Sequence, residues 1–336
     1  MFEDYLDQLR NRFIKNNEEI NLDKLIDVAV SDLIENFALK DEDNYKNIIA
    51  SNDAFIKRNR EKWSKGFIKL HALREICLEA GINFQKQFLK NAKYHNDELI
   101  GVFMRQHAQA CRISGEIICL LEGGYPDAAL ARWRTLYEMV IQCLIIQKHG
   151  REAAIDFLKY GLVKTVEGVE EHHRTAEEMG HETFTDEELN FYFELRENLV
   201  GNDVNWHWAR KHTGLARIDK LREYVGLDKW SYNYKLASRN IHADYYEMGS
   251  LYAMKESKED MLLVGQSNSG LTDPAHFTAI SLSQITSIFL TAYLEDKESE
   301  LNYTDSLIFI KIIENYVQEV GEAFLQIQKN KKAPTT

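Results

Sequence analysis

The chain has 336 residues, of which 44% are hydrophobic and 28% charged, and its formal net charge is −12. This composition is typical of a globular protein with a sizeable core and excludes a largely disordered chain. The acidic balance argues against non-specific attachment to nucleic acid or to an anionic membrane. Only three prolines occur, which permits long helices because proline breaks a helix interior.

The cysteines and the N-terminal sequence allow a prediction of where in the cell the protein is located. None of the four cysteines belongs to a C-x-x-C pair, and the start, MFEDYLDQLRNRF, carries acidic residues without the apolar core of a secretory signal. No window approaches the roughly 20 apolar residues that a membrane span needs. We therefore expect a cytoplasmic protein with reduced cysteines and no membrane partner.

Apolar residues recur at helical spacing from the N-terminus onward. Phe2, Leu6, Leu9 and Phe13 form one such set, and a second lies between Leu22 and Leu33. Residues 42–64 are polar and indicate a short helix or a connection. We interpret residues 1–64 as an N-terminal helical extension.

Four long helices are predicted next, over about 65–92, 97–122, 126–149 and 151–180. Glycines mark the ends of several of these helices, and Pro126 is tolerated in the first turn of the third helix. The connections between them are short, which favours antiparallel neighbours in an up-and-down bundle.

The remaining helices are predicted over 184–200, 216–225, 229–256, 273–296 and 301–330. The glycine-rich stretch 265–270 indicates a small hairpin or a loop, and we expect the tail 331–336 to be disordered. The predicted fold is all-α, with a main helical domain over 65–330 and at most one small hairpin.

The third long helix carries Arg134 and Glu138, which are four residues apart and therefore share a face. Its other residues are largely apolar, so we expect both side chains to be partly buried and to need partners. Two interpretations stay open, namely a structural ion pair that fixes helix register and a functional site.

A second group of polar residues comprises Ser238, Arg239 and His242, which are neighbours on a predicted helix. A positioned histidine transfers protons near neutral pH, and an adjacent arginine stabilises an anionic transition state. Such a pair can cleave RNA without a metal, because the ribose 2′-hydroxyl supplies the nucleophile. The alternative is a structural histidine whose ring is held by backbone or carboxylate partners.

The R-x-x-x-E motif (Arg134, Glu138) followed by an S-x-x-x-H motif (Ser238, His242) resembles an uncharacterised bacterial family of helical proteins, over roughly residues 95–290. This resemblance implies no established activity. More distantly, the architecture is similar to the HEPN superfamily, small helical bundles often found in toxin and phage-defence systems.

Many HEPN proteins cleave RNA across a dimer interface with an R-x4–6-H motif, often with Asn after the arginine. Here only two residues separate Arg239 from His242, although Asn240 does follow the arginine. The likeness implies a homodimeric, metal-independent endoribonuclease that works with a partner protein of a bacterial defence or toxin system. Arg239 and His242 would perform the chemistry, supported by Arg134 and Glu138.

Aromatic and basic residues alternate in the segment 206–222. Stacking faces interleaved with cations suit single-stranded nucleic acid, so the candidate RNA-binding residues are Trp206, Trp208, Arg210, Lys211 and Arg217. A second basic run, 57–65, surrounds Trp63. The alternative for both segments is an amphipathic helix with solvated cations and core tryptophans.

Histidines and glutamates cluster in residues 170–182, which contain E-x-x-H twice. Di-iron bundles use this spacing but take the two motifs from different helices. We interpret this polar stretch as a solvated helix end and expect no metal. The stretch 265–270 lacks the Lys-Ser/Thr ending of a P-loop, and no cofactor is expected.

Two functional hypotheses of different classes follow. The first is a HEPN-like RNA-acting protein, a candidate metal-independent ribonuclease. The second is a non-catalytic α-helical binding or oligomerisation module, whose polar residues keep a groove or an interface in register.

Overall fold

The computed structural model of the chain describes Asp7, Asn11 and residues 22–38, 41–201, 203, 205–242, 252–254, 262–296, 299 and 301–330. These residues contain twelve α-helices and no β-strand, which confirms the predicted all-α fold. The glycine-rich stretch 265–270 is a loop. No helix in the described ranges combines the length and apolar character that crossing a membrane requires.

The helices follow in chain order with boundaries close to those predicted for the long segments. They are α1 (Leu22–Ala38), α2 (Asp41–Lys62), α3 (Ser64–Lys90), α4 (Glu98–Glu122), α5 (Pro126–His149), α6 (Arg151–Thr175), α7 (Asp186–Val200), α8 (Arg210–Thr213), α9 (Ile218–Tyr224), α10 (Ser231–His242), α11 (Thr272–Leu290) and α12 (Thr304–Asn330). Short 3₁₀ turns occupy Ala92–Tyr94, Asp228–Trp230 and Tyr252–Met254.

Two segments differ from the sequence prediction. Residues 42–64, predicted as a short helix or a connection, lie mostly in the 22-residue helix α2. The helix predicted over 229–256 does not extend to its predicted end, because Tyr252–Met254 forms a 3₁₀ turn; its described part is α10, Ser231–His242. Residues 243–251 lie outside the described ranges, as do Phe2–Phe13 apart from Asp7 and Asn11, and the tail 331–336.

The chain divides into two compact units, Met1–Arg58 and Asn59–Thr336. The first unit contains α1 and most of α2, and Ala29 is the one buried apolar residue among its described positions. The second unit holds the hydrophobic core, whose largest fully buried side chains include Trp63, Trp133 and Phe103.

The neighbouring helices α4 and α5 run antiparallel in the second unit. Near the start of α5, Arg132 Nε lies 2.5 Å from Glu116 Oε2 of α4. Farther along α5, Gln142 Oε1 accepts a hydrogen bond from Gln106 Nε2 of α4 at 3.1 Å. Residue numbers fall on one helix as they rise on the other, as expected for helices joined by the short connection at Gly123–Gly124.

Helix α11 instead runs parallel to α5. Trp133 Nε1 donates to Ser281 Oγ at 3.0 Å, and Gln147 Nε2 reaches Thr291 Oγ1 at 3.5 Å, so residue numbers rise together on both helices. A long connection separates α5 from α11, and a long connection lets the chain return to the starting end of the bundle. Helix α5 is thereby packed against both α4 and α11, which explains why half of its 24 residues are buried.

Candidate functional site

The ion pair predicted on α5 forms. Arg134 Nε donates to Glu138 Oε1 at 2.8 Å, and the two side chains are 26% and 30% exposed. Both groups therefore lie at the edge of the core, where charge is only partly screened by water.

Helix α10 adds Tyr234 to this pair. Its hydroxyl donates to Glu138 Oε1 at 2.7 Å, and its ring centroid lies 4.9 Å from Arg134 Cζ. Burial raises the pKa of Tyr234 to about 12, and the hydrogen bond to Glu138 acts in the same direction. The phenol is therefore a hydrogen-bond donor throughout the physiological range.

Helix α9 brings a second arginine to the same ring. Arg222 is 6% exposed, and its Cζ lies 5.5 Å from the Tyr234 ring centroid. Its Nε is buried without a hydrogen-bond partner, and no carboxylate of the described residues forms an ion pair with it. Burying the Nε of a guanidinium group without an acceptor or a counter-charge costs free energy. We call Arg134, Arg222, Glu138 and Tyr234 the arginine cluster; it holds two cations and one carboxylate.

Tyr137 anchors the turn between α9 and α10 to α5. Its hydroxyl donates to Leu227 O at 2.7 Å, and its ring lies 5.7 Å from that of Tyr234. Burial raises the pKa of the Tyr137 phenol, so this hydrogen bond persists at any physiological pH. The bond fixes the turn from which Arg222 and Tyr234 approach Arg134.

The predicted catalytic residues are only partly brought together. Arg134 and Glu138 lie in the arginine cluster, whereas Arg239 is exposed and stands five residues after Tyr234, roughly 140° around α10. His242 ends α10, four residues after Ser238 and eight after Tyr234, but its side chain lies outside what the structure describes.

The tryptophans of the predicted RNA-binding segment are placed against α6. Trp208 is 2% exposed and packs edge-on to Phe157 with ring centroids 5.0 Å apart. It therefore takes the core role that was the alternative, since a buried ring cannot stack on a base. Trp206 is half-buried beside Tyr160, at 6.2 Å.

The cations of that segment are exposed but have partners. Arg210 Nη1 donates to the carbonyl of Asn205 at 2.9 Å. Lys211 Nζ lies 3.3 Å from Asp156 Oδ2. Arg217 is 82% exposed and bonds both carboxylate oxygens of Asp219 at 3.1 Å. The charges of Lys211 and Arg217 are thus partly neutralised within the chain.

The histidine- and glutamate-rich residues 170–182 lie at the end of α6 and in the loop after it. His172 stacks on His181 with ring centroids 5.9 Å apart, and its Nε2 lies 3.1 Å from the carbonyl oxygen of Glu182. Within the described ranges, no group of three or more histidine, cysteine, aspartate or glutamate side chains could hold a metal ion.

Sequence reasoning missed Tyr234 and the role of Arg222. Tyr234 stands four residues before Ser238 and eight before His242, so the stripe Y-x-x-x-S-x-x-x-H was a usable signal. Arg222 was visible only as the end of a basic run, a pattern that normally indicates a solvated face.

Residues 101–260 match a family of unknown function, DUF5677. The match covers just under half of the chain and includes every residue of the arginine cluster. It confirms the expected resemblance to an uncharacterised family and leaves the likeness to the HEPN superfamily a hypothesis. No curated protein and no solved structure matches the chain.

Proposed function

We propose that this chain is a HEPN-like RNA-acting protein whose arginine cluster holds a phosphate of the RNA backbone. The observation that carries the proposal is Arg222, which is 6% exposed, forms no ion pair among the described residues and has a buried Nε without an acceptor. A phosphate would supply both the acceptor and the counter-charge, and planar guanidinium groups suit its geometry.

The neighbouring groups favour an anion at this place. Arg134 already uses its Nε on Glu138, and the same carboxylate accepts from Tyr234. One carboxylate therefore balances two guanidinium groups, and the site retains one uncompensated positive charge. Phosphate contacts of this kind position RNA without reading its sequence.

The proposed chemistry takes place at the end of α10. His242 accepts the proton of a ribose 2′-hydroxyl, and the 2′-oxygen attacks the adjacent phosphorus. The bond from phosphorus to the 5′-oxygen breaks, and this oxygen takes a proton from solvent. Arg239 stabilises the negative charge that develops on the phosphoryl oxygens. No metal enters this scheme.

The test combines cleavage and binding of one labelled single-stranded RNA. Cleavage by the wild type should be insensitive to EDTA and should disappear in His242→Ala, whose RNA binding should remain. Arg222→Gln should weaken binding by about 10-fold, or ~1.4 kcal/mol, and reduce its salt dependence. Arg112→Gln removes a 75% exposed cation of α4 and should behave as the wild type.

Two results would count against the proposal. Intact RNA with every protein, all folded by circular dichroism, would exclude the ribonuclease. Unchanged binding in folded Arg222→Gln would exclude the phosphate site. Because Arg222 is buried, Arg222→Lys serves as a second variant that keeps the charge and should retain most of the binding.

A second candidate, a non-catalytic oligomerisation module, is favoured by exposed apolar side chains on two helices that pack on each other. Ile82 and Leu89 of α3 are 53% and 68% exposed, and Leu307 and Ile308 of α12 are 49% and 55% exposed. The two helices meet there, since Gln87 exchanges hydrogen bonds with the backbone of residue 302. An interface would bury these apolar side chains. A dimer by light scattering that Ile308→Asp dissociates, combined with no RNA cleavage, would favour this candidate.

A further inference from the structure

A cleft of about 780 Å³ lies outside the arginine cluster, where the C-terminal ends of α5 and α11 meet the end of α9. Its polar lining includes Lys148, Tyr224, Thr291, Tyr293 and two adjacent carboxylates, Glu295 and Asp296. Its volume is in the range of pockets that enclose small organic ligands, about 300–1,000 Å³. The cleft does not depend on the RNA proposal, because none of the arginine cluster lines it.

Tyr224 connects this cleft to a histidine behind it. The Tyr224 hydroxyl lies 2.9 Å from His149 Nε2, and the two rings stack with centroids 6.0 Å apart. Burial lowers the pKa of His149, and the neighbouring His212 and Lys148 lower it further. A lowered pKa favours the neutral imidazole. A neutral His149 ring that carries its hydrogen on Nε2 donates to the Tyr224 oxygen, which leaves the phenol hydrogen free to donate to an acceptor in the cleft.

A second histidine supports the first. His212 Nε2 lies 2.9 Å from Asp156 Oδ2, and these side chains are 8% and 7% exposed. The His212 ring lies 5.5 Å from that of His149. Lys211 also approaches Asp156, at 3.3 Å. The carboxylate fixes the His212 ring, and the His212 ring packs against His149, so the orientation of the Tyr224 hydroxyl is built into the fold.

Lys148 supplies a positive charge at the edge of the cleft. Its Nζ lies 4.3 Å from the Tyr224 ring centroid, and no carboxylate of the described residues pairs with it. An anionic group in the cleft would meet this ammonium and the Tyr224 hydroxyl together.

Tyr293 provides an aromatic wall. Its φ is 60°, the one left-handed non-glycine residue in the described ranges, and its hydroxyl donates to Asp97 Oδ2 at 2.7 Å. Bulky residues adopt this backbone conformation rarely, and such strain is common at ligand sites. The bond to Asp97 holds the strained residue in place beside Glu295.

We propose that the cleft is a binding site for a mononucleotide. Lys148 and Tyr224 contact the phosphate, Tyr293 packs against the base, and Glu295 accepts hydrogen bonds from the ribose hydroxyls. The combination of one cation without an ion-pair partner among the described residues, an aromatic face and two adjacent carboxylates in a single cleft matches the three chemically distinct parts of that ligand, with the carboxylates at the ribose end.

The experiment is calorimetric titration of the full chain with AMP, GMP, CMP and UMP in turn. At least one nucleotide should bind. Lys148→Gln should weaken that binding by about 10-fold, and Tyr224→Phe should weaken it while the protein stays folded at the temperature of the titration, as judged by circular dichroism. Lys86→Gln removes an exposed cation of α3 and should leave binding unchanged.

Inorganic phosphate and adenosine identify which part of the ligand is recognised. Each should bind more weakly than the intact nucleotide. Absence of binding for all four nucleotides at about 5 mM would overturn the proposal, as would equal affinity for inorganic phosphate. Arg222→Gln should leave nucleotide binding intact, so failure of the RNA hypothesis and failure of this one are distinguishable.

Discussion

Tyr234 lies between two guanidinium groups and gives its hydroxyl hydrogen to the carboxylate that one of them already binds. Each cation–π contact contributes on the order of 0.5–2 kcal/mol, and the charged hydrogen bond contributes about 1.5–3 kcal/mol. These contacts hold the arginine cluster together without a ligand. They also explain how a buried Arg222 is tolerated, because the ring provides part of the electrostatic stabilisation that water would otherwise give.

His107 of α4 is a buried histidine in the core of the second unit. It is 5% exposed, and its ring stacks on Phe289 at 5.3 Å. Burial lowers its pKa from 6.5 to about 4. Since the unfolded chain then binds this proton more tightly than the folded one, stability is fully present above pH 6.5 and is lost as pH falls through the folded pKa.

From this residue alone, the free energy of unfolding should fall by about 3 kcal/mol between pH 7 and pH 4. The measurement is urea denaturation at both pH values. His107→Leu should lose part of the pH dependence, whereas replacing the exposed His95 by leucine should not. Equal pH dependence in the wild type and His107→Leu would contradict the assignment.

At the scale of the helices, α3 packs closely on its neighbours because glycines face them. A Cβ atom added to Gly81 would lie 2.3 Å from His107 Cε1 of α4, and one added to Gly66 would lie 2.7 Å from Phe324 Cδ2 of α12. Both distances are shorter than any real Cβ contact. The absence of a side chain at these two positions thus sets the spacing between the helices.

Gly81→Ala should therefore destabilise the protein by about 1–3 kcal/mol, because a methyl group must displace a buried ring. Gly168 of α6 is the matched control, since it is helical and nothing lies within 4 Å of its added Cβ. Gly168→Ala should stabilise by up to about 1 kcal/mol through helix propensity. Chemical denaturation gives the free energy of unfolding of both variants. Stabilisation by both substitutions would show that α3 and α4 do not pack as described.

The start of α4 and both ends of α5 were predictable because their causes are local. Asp97 caps α4 by accepting from Ile100 N at 2.9 Å, Pro126 opens α5, and Gly150 follows its last residue with φ of 72°. The convergence of Arg134 with Arg222 was not predictable, because it depends on how α9 and α10 pack on α5. Trp208 likewise lies in a segment of basic residues, and its burial follows from contact with Phe157 of α6, far away in the sequence.

At the scale of the whole chain, apolar burial is distributed very unevenly between the two units. The second unit contains the continuous hydrophobic core from Trp63 to Phe324, whereas Ala29 is the one apolar residue buried within the described part of the first. Burial of apolar surface supplies most of the stability of a fold. The second unit therefore has a core of its own on which to fold alone.

A fragment of residues 59–336 should accordingly fold by itself. Its circular dichroism should show a predominantly helical spectrum, and its urea transition should stay cooperative, as expected for a unit with its own core. A fragment of residues 1–58 should be only weakly helical, because most of the stability of a helix in a protein comes from tertiary packing of its apolar face. Non-cooperative unfolding of the 59–336 fragment would mean that residues 1–58 contribute to the core of the bundle. The RNA and nucleotide titrations repeated on the folded fragment should then give the affinities of the full chain, since every residue of the arginine cluster and of the cleft lies within it.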